Sequence, residues 1–77
     1  HGRGSLQLAA TRKRVEQAWM RRHPLLREMD SSERAGWIGE QAGLVQAEVQ
    51  QALYSRPRDD DDLVRQTGLI QRIWNAL

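Results

Sequence analysis

Between residues 38 and 53 the apolar positions fall three and four apart. Ile38 and Ala42 form one stripe; Val45, Val49, Ala52 and Leu53 form a second. That period puts side chains on one face of an α-helix. Gly43 stands between the two stripes. It is predicted to close the first helix in the left-handed region, which glycine enters at no steric cost. A small residue at Gly39, a turn glycine at Gly43 and apolar residues at Leu44, Val49 and Leu53 together form the skeleton of a helix-turn-helix.

Upstream, Leu8, Val15, Ala18, Trp19 and Arg22 follow a helical period. They predict a first helix over about residues 6–22, capped by Ser5 and carrying a basic collar at Arg12, Lys13 and Arg14. Pro24 ends it, because proline pushes the preceding residue, His23, out of the α region. Leu25, Leu26 and Met29 then fit one helical turn begun by Pro24, with its leucines packed under the bundle. Asp30 and Glu33 have the spacing of a capping box, with Ser31 and Ser32 as alternative caps, and the second helix is expected over about 32–42. Gly36 and Gly39 within it cost up to about 1 kcal/mol each relative to alanine. Their presence predicts close helix approach, against Trp19 or Trp74. The third helix is placed at about 46–54 and residues 55–58 in a loop. Asp59 to Asp62 open the fourth, over about 60–76, where carboxylates suit the positive end of the helix dipole. Its predicted core stripe is Leu63, Thr67, Ile70, Trp74 and Leu77, widened by Val64 and Ile73. Four helices with short connections and no strand pattern predict an all-α fold, a small orthogonal bundle containing the helix-turn-helix-like pair.

Length and composition sharpen this picture. At 77 residues the chain is one small domain with a thin core. It has no cysteine, so neither a disulfide nor a zinc-thiolate site can brace it. Trp19, Trp37, Trp74 and Tyr54 are the only aromatics, and at least two of the tryptophans are expected to anchor the core. Residues 1–28 hold seven basic and two acidic side chains, a net +5. Residues 29–77 hold five basic and eight acidic, a net −3. The basic side is therefore the N-terminal third. The opening residues His1 to Ser5, without an initiator methionine, suggest a piece of a longer protein, with residues 1–5 either a flexible leader or an added scar. No apolar run approaches the roughly 20 residues that span a bilayer.

Catalytic chemistry finds no pattern here. Four successive aspartates on a helix start point about 100° apart and do not converge on one ion. His23, before Pro24, reads as a loop or packing residue, and Ser31, Ser32 and Ser55 have no histidine at a recognisable spacing. The expectation is a non-enzyme with no cofactor, no metal and no small-molecule substrate. A helix-turn-helix that reads DNA lays its second helix in the major groove. Here that helix exposes Gln46, Ala47, Glu48, Gln50 and Gln51 and contains no Lys or Arg. Glutamine can read adenine, but phosphate neutralisation supplies essentially all non-specific affinity. Protein docking is therefore favoured over DNA binding, with Gln46, Glu48, Gln50 and Gln51 as the candidate surface and any exposed tryptophan as a second. Arg12, Lys13 and Arg14 are the candidate membrane or nucleic-acid surface. Basic residues near an anionic membrane gain about 1 kcal/mol each. A structural or oligomerising role is the third reading, favoured if Ile70, Trp74 and Leu77 are exposed.

Several strings carry a family resemblance: Arg21 to Leu26, Ser32-Glu33-Arg34, Ala42-Gly43-Leu44, Glu48-Val49, Ala52-Leu53-Tyr54, the Pro57 loop with its acids, and Leu69 to Arg72. Together they resemble the C-terminal region of an uncharacterised bacterial family of membrane-anchored proteins. Its genes lie beside MoxR-type AAA+ ATPases and von Willebrand A-domain proteins. The resemblance covers nearly the whole chain, and its motifs are caps, a turn glycine and core positions. It implies a cytoplasmic domain just after a membrane span, native residues 1–5, a basic first helix facing the membrane, and an AAA+ ATPase system as partner. Basic residues after a span favour the cytoplasmic side.

Overall fold

A computed structural model of the chain describes residues 2–77, with side chains from residue 8 onward. Four α-helices follow one another: α1 (Gly2–Arg22), α2 (Ser31–Ala42), α3 (Gln46–Tyr54) and α4 (Asp60–Asn75). A single 3₁₀ turn (Pro24–Glu28) joins α1 to α2. The fold is a small all-α bundle, as the periodicity predicts, with no strand among the described residues.

α1 begins at Gly2 rather than near Leu6, so Ser5 lies inside the helix and is not its cap. No proline interrupts residues 2–5, and once a helix is nucleated each further residue gains one backbone hydrogen bond. α1 and α4 run side by side in the same direction. Arg12 meets Gln66 and the Trp19 indole N–H donates to the Ile73 carbonyl, both pairs 54 residues apart. Val15 and Trp19 of α1, Ile38 of α2, Val49 of α3 and Ile73 of α4 meet in the centre, and Leu26 closes it from the 3₁₀ turn. Leu25 is 59% exposed, so only one of the two leucines packs under the bundle.

The predicted stripe of α4 is rotated. The buried face is Asp62, Gln66, Leu69, Ile70 and Ile73, whereas Thr67 and Trp74 are exposed. The physical reason is polar. Gln66 is fully buried yet satisfied, because its amide oxygen accepts from Arg12 and its amide nitrogen donates to Asp62. A pattern of apolar residues alone cannot anticipate that face. Of the tryptophans, Trp19 is 1% exposed, Trp37 is half-buried against the core, and Trp74 is 44% exposed. Trp19 stacks on His23 at 5.6 Å and meets Trp37 edge-on at 6.1 Å, which gives His23 a packing role.

The α2–α3 turn forms as its residues dictate. Asp30 caps α2 by accepting from the Glu33 N–H at 2.8 Å. Gly43 ends α2 at φ 71°, ψ 32°, and the Leu44 N–H reaches back to the Gly39 carbonyl at 2.9 Å, the long bond of a Schellman motif. Gly39 does permit close approach, but to this turn rather than to a tryptophan. A Cβ added there would lie 2.6 Å from the Leu44 carbonyl oxygen and 3.4 Å from Val49. Gly36 faces the Gln46 side chain at ordinary contact distance, 3.7 Å.

Candidate docking surface

The polar face of α3 is largely occupied by the protein itself. Gln46 donates to the Ser32 carbonyl at 2.7 Å and to its hydroxyl at 2.8 Å, tying the start of α3 to the start of α2. Glu48 is half-buried and its carboxylate accepts from the Val45 N–H at 3.4 Å, where it serves the start of its own helix. Gln51 accepts from Arg65 of α4 at 2.6 Å. Gln50 is half-buried. Two of the four residues predicted to meet a partner, Gln46 and Gln51, thus brace α3 against its neighbours, and Glu48 is engaged at the start of its own helix.

The basic collar divides. Lys13 and Arg14 are exposed, whereas Arg12 turns inward. Its guanidinium donates to the carbonyls of Ala52 (2.6 Å), Gln51 (2.9 Å) and Ser55 at the end of α3, and to the Gln66 side chain at 3.2 Å. The Ala52 carbonyl is one a helix end leaves without an intrahelical partner, the Gln51 carbonyl also accepts from the Ser55 N–H at 3.2 Å, and a cation there also suits the dipole. Burial pushes the Arg12 guanidinium down from its usual value. One turn on, Glu16 accepts from Arg34 of α2 at 2.8 Å and from the Tyr54 hydroxyl of α3. Arg34 also donates to the carbonyls of Leu26 (3.0 Å) and Met29 (2.9 Å), fastening the 3₁₀ turn. Burial works to lower Arg34, but its contacts with Tyr54 and Glu16 outweigh it and the net direction is upward. Tyr54 is pushed up to about 12, first by burial and then by its hydrogen bond to Glu16. Glu16 was not singled out by the sequence, and Arg34 entered only within the Ser32-Glu33-Arg34 string. The one signal for Glu16 was its place next to Val15, on the edge of the apolar stripe.

The aspartate run splits as helix-start chemistry requires. Asp59 caps α4 by accepting from the Asp62 N–H at 2.8 Å. Asp62 is buried, accepting from the Arg58 N–H at 3.0 Å and from Arg65 at 2.9 Å. The Arg58 N–H first, and then Arg65, hold its carboxyl below the usual carboxylate value. Asp60 and Asp61 are exposed. Among the described residues no group of three or more His, Asp or Glu side chains could hold a metal ion. No described helix is long and apolar enough to cross a membrane.

An open groove lies elsewhere, where the C-terminal ends of α1 and α4 meet. A groove of about 560 Å³ is lined by Ala18, Arg21, Arg22, Trp74 and Leu77. Ile70 lies in the core below it, so exposure at this end belongs to Trp74 and partly to Leu77. Neither Arg21 nor Arg22 pairs with a carboxylate of any described residue. A second cleft, about 230 Å³, has Arg56, Arg58 and Arg65 on its walls. The Asp62 carboxylate shares it and pairs with Arg65 at 2.9 Å and Arg58 at 3.9 Å, offsetting one of the three positive charges there.

No family model, curated protein or solved structure matches this chain.

Proposed function

We propose that this domain is a non-catalytic protein-interaction module that docks its partner in the Trp74 groove. The exposure of Trp74, a large ring at 44% beside Arg21 and Arg22, which form no ion pair with any described residue, is the observation that carries the reading. Tryptophan and arginine dominate interface hot spots because one supplies apolar area and the other a charge-assisted fork. Two positive charges around an aromatic ring call for a partner segment with carboxylates beside an apolar anchor. The α3 face, with Gln46 and Gln51 engaged internally, becomes a brace of the fold. From the family resemblance alone comes the wider proposal of a membrane-anchored bacterial parent, a cytoplasmic position and an AAA+ ATPase partner. Exposed Lys13 and Arg14 are the residues that would face an anionic membrane there.

The helix-turn-helix geometry of α2 and α3 favours a second reading, DNA binding. Against it stand the absence of Lys and Arg from α3 and the internal bonds of its glutamines.

One titration separates the readings. Isotope-labelled domain is mixed with an amphipathic acidic peptide and, separately, with mixed-sequence duplex DNA at two salt concentrations. The peptide is expected to shift the Trp74 indole and the Arg21 and Arg22 resonances, and Trp74→Ala is expected to weaken it by about tenfold or more, the scale of a hot spot. DNA-induced shifts over residues 46–51 with steep salt dependence, and none from the peptide, would sink the docking reading.

A further inference from the structure

We infer that the occupant of the Trp74 groove is a second copy of this chain, laid antiparallel along α4 about a two-fold axis. The inference rests on the groove being a docking surface, and a different part of α4 supplies the argument. Asp60, Val64, Thr67, Gln71 and Trp74 are spaced 4-3-4-3 and all five are exposed, so they form one outward stripe along the helix. Val64 is 71% exposed, the highest value among the exposed large apolar residues. It sits at the acidic end beside Asp60 and Asp61, and Trp74 sits at the basic end beside Arg21 and Arg22. None of these four charged residues makes an ion pair with any described residue.

Within one copy the two ends cannot meet, because Asp60 and Trp74 are about 21 Å apart along the helix axis at 1.5 Å per residue. A second α4 running antiparallel solves both ends at once. Val64 of each copy reaches Trp74 of the other, and the Asp60–Asp61 pair of each reaches Arg21 and Arg22 of the other. The contact is isologous, so every pairing occurs twice. A parallel arrangement would set aspartates against aspartates, and like charges would reject it. The middle of the stripe can be covered at little polar cost. The Thr67 hydroxyl already donates to the Leu63 carbonyl at 2.8 Å, and the Gln71 amide donates to Asn75 at 3.0 Å. Gly68 lies beside them, and a Cβ there would meet nothing within 4 Å, so two backbones can come close. One helix face of four turns is a small footprint, below the roughly 1,200 Å² of a standard interface. The dimer is therefore weak and salt-sensitive.

Sedimentation equilibrium of the 77-residue chain tests this. Wild type is expected to pass from monomer to dimer as concentration rises, with weaker association at higher salt. Asp60→Lys with Asp61→Lys, and separately Arg21→Glu with Arg22→Glu, should each weaken self-association about tenfold or more. An equimolar mixture of the two variants should restore it, since every reversed pair then faces its opposite. Gly68→Gln gives an independent arm. It replaces a helix-interior glycine in open space and should leave the monomer at least as stable, yet abolish the dimer by holding the helices apart. A wild type that stays monomeric at millimolar concentration, a mixture that fails to associate, or a Gly68→Gln protein that dimerises like wild type would each overturn the inference. If that monomeric wild type still binds the acidic peptide through Trp74, the docking reading survives and only the second copy is refuted; if neither occurs, both fall.

Discussion

At the scale of single residues, charged side chains here act as fasteners. Tyr54 shows how one such contact makes stability depend on pH. Tyr54 is 37% exposed and its hydroxyl donates to Glu16, and its pKa is pushed up from 10.0 to about 12. The folded state therefore holds the phenolic proton more tightly than the unfolded chain does. Between those two values the unfolded state binds fewer protons, so stability falls as pH rises. This contribution is fully present below pH 10.0 and is lost by about pH 12. Chemical denaturation across that window should give a declining midpoint in wild type, and Tyr54→Phe should remove this residue's share of the decline. An unchanged slope in Tyr54→Phe would mean that the Glu16 contact does not hold the proton.

At the scale of elements, the two glycines of α2 separate propensity from packing. Both carry the same intrinsic helix penalty. Gly36 has room, with the nearest atom 3.7 Å from an added Cβ, so Gly36→Ala should raise stability by about 0.5–1 kcal/mol. At Gly39 an added Cβ would lie 2.6 Å from the Leu44 carbonyl oxygen, an atom of the turn backbone that cannot swing aside. Gly39→Ala should therefore lower stability by about 1–3 kcal/mol, the usual cost of overpacking. Thermal melts of the two variants should move in opposite directions. A Gly39→Ala protein as stable as wild type would show that the α2–α3 turn can open. This turn, with Gly43 at positive φ, sets how α3 leaves α2 and thereby which face of α3 is left outside.

At the scale of the whole molecule, a thin core makes each cross-helix fastener count. The radius of gyration, 11.8 Å, is close to the roughly 11.5 Å expected of a packed chain of this length. A domain of this size rarely draws more than about 3–5 kcal/mol from its core. Arg12 joins α1 to the end of α3 and to Gln66 of α4, three of the four helices. Arg12→Ala leaves the Ala52 carbonyl and the buried Gln66 oxygen short of a donor and should cost about 1–3 kcal/mol. That is a large share of the whole, corresponding to a melting point lower by roughly 4–8 °C per kcal/mol. Arg12→Lys keeps the charge without the fork and should fall between. The neighbouring exposed Lys13→Ala should stay within about 0.5 kcal/mol of wild type. Equal melting points for Arg12→Ala and Lys13→Ala would refute the fastening role.

Much of this architecture is written locally. The Asp30 and Asp59 caps, the stop at Pro24 and the left-handed Gly43 each depend on a few adjacent residues, so helix type, order and most boundaries follow from the sequence. The start of α1 was less legible, since a serine that could cap need not cap when the helix can continue past it. What each face meets depends on partners distant in the chain, and only tertiary structure decides that. Arg12 looked like a surface cation because nothing nearby in sequence announces the carbonyls of α3, some 40 residues away. Gln66 broke the α4 stripe for the same reason, because a buried amide is tolerated only when packing delivers its donors and acceptors. The candidate α3 surface lost Gln46 to Ser32 and Gln51 to Arg65. The sequence supplied Trp74 as an apolar residue; the bundle's rotation of α4, governed by Gln66 and Asp62, left it outside with Arg21 and Arg22.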